Sequence, residues 1–219
     1  MAMRHRLSLI GDLATKRVIK QFAAKYHLVY FGAVDAREDE HELVRGVTVS
    51  TSHIDNHYTV GTLQGRDITV VHRKNTLTFP GKAPSQYKWL ILQLDLARTG
   101  LPHIFIDAHH HDETFYANLF IALPQFQNVT AHLFAQDAAF SKHCKAFGFP
   151  HDYEAIAAVL QPDVTAAIGH HFHQFDYEII DDRLYVYASN SVVTMTVLQE
   201  MLRVGVWLAD FLDGKSNSS

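Results

Sequence analysis

Two runs near the end of the chain, Gln174-Phe-Asp-Tyr-Glu-Ile-Ile180 and Arg183-Leu-Tyr-Val-Tyr-Ala188, alternate apolar with polar or aromatic residues and are linked only by Asp181-Asp182. Side chains alternate across a strand with period two, and a two-residue acidic link suits a tight turn. The pair is predicted to be a hairpin with one buried face. Such a hairpin needs partner strands, and three β-branched runs upstream supply them: Val47 to Thr51, Tyr58 to Leu63 and Asp67 to His72, the last two joined through Gln64-Gly65-Arg66. Tyr87 to Leu94 and His103 to Asp107 add two more, after a bent segment that holds Pro80-Gly81 and Pro84. The predicted fold class is α+β: a mainly antiparallel sheet, meander plus C-terminal hairpin, packed by several helices and ending in a long helix.

Helical periodicity fills the spaces between these strands. Asp137 to Phe147 places Phe140, Cys144 and Phe147 on one face, with Gly148 as a C-terminal cap and Pro150 beyond it. Asp152 to Leu160 and Asp163 to His170 read as two short helices, the second opened by Pro162, and Asp112 caps another that runs to Phe120. The last helix, Val192 to Leu212, carries Val197, Met201, Val204, Leu208 and Phe211 in one stripe; Gln199, Glu200, Arg203 and Asp210 make it a packing or dimer helix, not a membrane span. At the other end, Leu9, Leu13, Val18, Ile19, Phe22 and Tyr26 recur at near-helical spacing, with Asp12 or Thr15 as N-cap. The domain reading is an amphipathic helix over 1–30, one α+β domain over 31–214 and a flexible tail over 215–219.

The order of Phe140 and Phe147, Glu154-Ala155, Leu160-Gln161-Pro162, then Phe175, Glu178 and Asp182-Arg-Leu-Tyr-Val-Tyr187 resembles the end of an uncharacterised bacterial family. That family is a domain of unknown function, and some of its members carry the label galanin. The resemblance covers roughly the C-terminal half and rests on packing and turn residues, so it implies no chemistry. Its members often carry membrane-spanning helices, which makes this chain look like a cytoplasmic relative of membrane-linked proteins.

Charge narrows the choice of partners. A net charge of −4 offers no general attraction for nucleic acid, so none is expected as a partner. The single cysteine excludes an internal disulfide framework and any cysteine-built zinc site, and fits a reducing compartment. Against the acidic background, Arg4, Arg6, Lys16, Arg17, Lys20 and Lys25 crowd the first helix with only Asp12 opposing them. That basic helix is expected either to rest in water or to attach to a protein partner or an anionic membrane surface, in a protein that is cytoplasmic or membrane-peripheral. The acidic run Asp35 to Glu42 is its natural internal counterweight. A homodimer through the C-terminal helix is a further expectation.

Sixteen histidines are the chain's one chemical extravagance. If the strand from His103 continues, Asp107, His109 and His111 project to one face, where a carboxylate and two imidazoles suit a zinc-class metal. Ile104 to His111 resembles the first strand of metal-dependent amidohydrolase barrels, which ends in His-x-His; that barrel needs about 200 or more residues, mostly downstream of the motif, and here the motif stands midway. His53 and His57, in a turn, and His170, His171 and His173, at a helix end, are the possible further ligands. No catalytic residue is assigned. Cys144 reads as a buried packing residue, because His143 beside it on a helix faces about 100 degrees away. The leading reading is a non-enzymatic binding module; the alternative is a metal-dependent hydrolase centred on Asp107, His109 and His111.

Overall fold

The structure, a computed structural model, describes residues 2–32, 53–78, 80–81, 83–108, 110–189 and 191–215, with side chains from residue 12 onward except that of residue 53. The strand expected at Val47 to Thr51, the acidic run from Asp35, His109 and most of the C-terminal tail lie outside the described residues.

Nine described strands form one sheet: β1 (Val29–Gly32), β2 (His53–Leu63), β3 (Arg66–Leu77), β4 (Ser85–Asp95), β5 (Ile104–Asp107), β6 (Gln127–Asn128), β7 (Lys145–Gly148), β8 (Asp176–Ile180) and β9 (Arg183–Ser189). Their order is β1-β2-β3-β4-β9-β8-β5-β7-β6, and every neighbouring pair is antiparallel. The fold is therefore α+β, as the alternation predicts. Asp181 and Asp182 turn the β8–β9 hairpin with positive φ angles of 51° and 59°, the backbone that a two-residue turn of this hand requires.

The hairpin has two buried faces, not the one expected. Because β9 pairs with β4 and β8 with β5, it lies mid-sheet, and both of its sides are covered. On one face, Tyr177, Ile179, Leu184 and Val186 join the larger core; on the other, Tyr185 and Tyr187 join an aromatic core with Trp89, Phe105 and Phe147.

Helix α1 (Ala2–Lys25) and α7 (Met195–Leu212) cover the first face together with the short helices α3 (Thr130–Leu133), α4 (Ala138–His143), α5 (Tyr153–Val159) and α6 (Pro162–Ala167), while α2 (Glu113–Ala122) covers the second with Phe115 and Leu119. Ile19 and Phe22 of α1 are fully buried in the main core, so this helix belongs to the domain's packing. It begins before Asp12 and Thr15, so neither is its cap, and Leu13 faces outward. The stripe of α7 packs as predicted, with Met201, Val204 and Leu208 buried in the chain's own core, and Gly205 lets the helix approach Leu92, Leu94 and Val186. Thr194 caps it through Val197 N–H.

One predicted helix is half strand. α4 stops at His143, Cys144 is extended, and Lys145–Gly148 pairs with β5, from Ile104 opposite Gly148 to Asp107 opposite Lys145. The same residues that keep helical spacing also alternate with period two, and an available sheet edge decides between them. The expected turn around His53 to His57 is likewise strand, since both fall within β2.

Candidate functional site

Asp107 ends β5, and the chain then doubles back on it. The backbone N–H of His110 donates to Asp107 Oδ1 at 2.8 Å and that of His111 to Oδ2 at 3.3 Å, with His110 at a positive φ of 51°. The Tyr116 hydroxyl, from the first turns of α2, also donates to Oδ2. Asp112 starts that helix by accepting from Phe115 N–H at 2.9 Å, so the cap fixes where Tyr116 points.

The adjacent strand β8 brings a second buried carboxylate. Asp176 Oδ1 accepts from Ala108 N–H at 2.8 Å, and Oδ2 lies 3.1 Å from His111 Nε2, which is 3.9 Å from Asp107 Oδ1. The imidazole is wedged between Phe115 and Trp89, with ring centroids 4.2 and 5.2 Å away. Ligand atoms of Asp107, His111 and Asp176 all fall within 4.8 Å of one another, a donor set that a zinc-class cation accepts. Both Asp107 oxygens and Asp176 Oδ1 also accept from backbone N–H groups, so the cluster equally closes the β5–α2 loop over the sheet.

Of the predicted metal residues, then, Asp107 and His111 meet, although through a reversing loop and not along one strand face. His109 lies outside the described residues, and so does the side chain of His53. His57 is on the opposite face of the sheet, beside Asp12 and His72. His170 and His171 are exposed beyond α6, and His173 stacks on His143 with ring centroids 4.4 Å apart. None of these three joins a described ligand group. Desolvation and the neighbouring His173, Lys142, His110 and His170 hold His143 below the ordinary histidine value.

Asp176 escaped the sequence reading because it sits in the hairpin, where an alternating acid signals a solvent face. Glu178, two residues on, was missed for the same reason: it is buried, 2.7 Å from His103 Nε2 and 2.6 Å from the Tyr187 hydroxyl. Two acids at alternate positions of a strand flanked by buried strands are the signal that was available. Cys144 is fully buried, and burial with the charges of Asp176 and Asp107 pushes its thiol up to about 12, which leaves it protonated and inert.

The second feature is electrostatic. Leu13, Lys16, Arg17, Lys20, Gln21 and Ala24 line a shallow groove of about 410 Å³ along the outer face of α1, with Leu13 66 % exposed. These positions recur every three or four residues, opposite the buried Ile19, Phe22 and Ala23. Three of these six lining residues are cations and none is an acid, while Asp12, one turn before Lys16, pairs with Lys74 on β3. Lys20 Nζ also lies 5.1 Å above the ring of Tyr30, on β1.

No family model matches this chain, and no curated protein matches it. Among solved structures, the crystal structure of the mycobacterial trehalose monomycolate transport factor A, TtfA, superposes over 90 % of this chain and 94 % of that one, with a TM-score of 0.62 at 10 % identity. The two share a fold. At that identity the likeness extends to architecture and not to residues. No helix among the described residues is long and apolar enough to cross a membrane.

Proposed function

We propose that the protein is a non-catalytic binding module that docks on an anionic membrane surface through the outer face of α1, at the cytoplasmic side of the membrane. The observation that carries this reading is the exposed row of Lys16, Arg17 and Lys20 around the outward-facing Leu13. A cation near an anionic leaflet contributes about 1 kcal/mol, so three of them and one leucine give weak, salt-sensitive and reversible attachment. A fold shared with a transport factor supports a role in docking over one in covalent chemistry. The resemblance of the C-terminal half to the galanin-labelled family adds packing residues to this picture and no chemistry.

The test is sedimentation with vesicles. The protein is expected to pellet with phosphatidylserine-rich vesicles at low salt and to be released by salt, while Lys16→Ser, Arg17→Ser and Lys20→Ser together abolish pelleting. Equal pelleting with phosphatidylcholine vesicles, or by the triple variant, overturns the reading. Pull-down of an acidic protein without vesicle binding would move the partner from lipid to protein.

The convergence of Asp107, His111 and Asp176 favours one second reading, a metal-dependent hydrolase. A zinc-class ion there would supply a bound water acidic enough to ionise near neutrality. Zinc-dependent hydrolysis of activated esters, lost in Asp176→Asn, supports this reading, and its absence from zinc-loaded protein removes it.

A further inference from the structure

On the sheet face opposite Asp107, under α1, three residues from three elements meet: Asp12 of α1, His57 of β2 and His72 of β3. Each offers a ligand atom, and the three atoms lie within 4.8 Å of one another. The histidines are 5 % and 7 % exposed, their rings stacked with centroids 6.0 Å apart and planes 16° from parallel. His57 Nε2 and His72 Nδ1 are both buried with no hydrogen-bond partner. A buried polar nitrogen left this way costs about 1–3 kcal/mol, and two side by side call for an explanation.

We propose that Asp12, His57 and His72 form a zinc-class metal site that fastens α1 to the sheet. The inference stands apart from what α1 docks on. Two imidazole nitrogens and a carboxylate are the donor set of zinc, cobalt(II) or nickel(II), with a fourth position left for water.

Two observations besides the distances support the site. His57 Nδ1 hydrogen-bonds the Tyr30 hydroxyl at 2.8 Å, which orients the ring and leaves Nε2 for a ligand, the outer-contact pattern of metal-bound histidines. His57 also adopts a positive φ of 59°, where the β2–β3 register slips between Asn56 and Thr59. A non-glycine residue in that region is strained, and such strain gathers at binding sites.

Lys74 is the cation beside Asp12. Its Nζ lies 3.2 Å from Asp12 Oδ1, whereas His57 Nε2 is 3.7 Å from the same oxygen, too far to hydrogen-bond. Lys74 and Asp12 are both partly exposed, so the ammonium can swing into water and open a path for the ion. Lys74, Lys16 and Lys88 also surround the histidines with positive charge, which lowers affinity for a divalent cation. Lys74→Ala should therefore bind metal more tightly than the native chain.

The experiment is titration of chelator-treated full-length protein with cobalt(II), read by visible absorption, and with zinc, read by melting. One equivalent is expected at this site, with a melting point raised by about 5–10 °C at a hundred-fold excess over the Kd. Tyr30→Phe should weaken binding about 10–100-fold. Asp12→Asn and His72→Gln should remove it, and Asp176→Asn, in the other cluster, should leave it intact. Asp12 is partly exposed on a helix, so its variant folds even if the His72 variant does not. No binding by native protein, unchanged binding by Asp12→Asn, or loss confined to Asp176→Asn overturns the proposal.

Discussion

Arg66, the first residue of β3, and Asp213, just past the end of α7, form a buried ion pair between side chains only 4 % and 1 % exposed. Arg66 Nη2 also donates to Asp210 at 2.7 Å, and Asp213 Oδ1 accepts the N–H groups of Ala97 and Arg98 at 2.9 Å each. One carboxylate thus ties the C-terminus of α7 to a strand start and to the loop after β4. Removing Asp213 leaves Arg66 with Asp210 as a carboxylate partner and takes the acceptor from two backbone N–H groups, a loss of about 1.5–3 kcal/mol. Asp213→Ala is expected to lower unfolding free energy by that amount in a denaturant titration; a loss below about 1 kcal/mol would show the pair to be incidental.

The same carboxylate gives a pH dependence. Burial alone would raise its pKa, but the Arg98 and Ala97 N–H groups and the Arg66 guanidinium outweigh it, and the net value is lowered. A folded pKa below the unfolded one means that its stabilisation is complete above the unfolded carboxyl range, about 3.9, and is lost as pH falls through the folded value. The stability difference between native protein and Asp213→Asn should hold steady from pH 7 to about 5 and shrink below about 4. A difference that grows on acidification reverses the assigned sign.

Gly169 lies in the turn that extends α6, pressed against α4. A Cβ placed there meets the backbone nitrogen of Phe140 at 2.5 Å and the carbonyl carbon of Ala139 at 2.7 Å. Backbone cannot rotate aside as a side chain can, so Gly169→Ala should cost about 1–3 kcal/mol or force α4 outward. A thermal melt within a degree of native would refute this packing.

Tyr116→Phe deletes the hydroxyl that donates to Asp107 while keeping the ring between Phe115 and Phe147. Hydrogen bonds to a charged acceptor contribute about 1.5–3 kcal/mol, and for a chain of this size each kcal/mol moves the melting point by about 2–4 °C. A drop of about 3–12 °C is expected. An unchanged melting point would place the hydroxyl in water and not on Asp107.

How far each of these residues was visible beforehand follows a pattern. The β8–β9 hairpin, the Asp112 cap and the stripe of α7 were legible because turn, cap and periodicity are set by neighbours within a few residues. The strand Lys145–Gly148 was not, because its spacing satisfied both periods and β5, about forty positions earlier, settled the matter. Asp107 and His111 were found through residue type; Asp176 and Glu178 were hidden by alternation that normally marks a wet face, and Tyr116 by its place on a helix whose packing against β5 no local pattern shows.

The sequence by itself determined the α+β class, the hairpin and its acidic turn, the inward stripe of α7, and the charge of α1. Tertiary structure alone decided that the hairpin lies mid-sheet, that Asp176 comes to His111, that Leu13 faces out and that Asp12 reaches His57 and His72. The reason is range: backbone periodicity and capping act within a turn or a strand, whereas burial of a polar group depends on which distant strand and helix close over it.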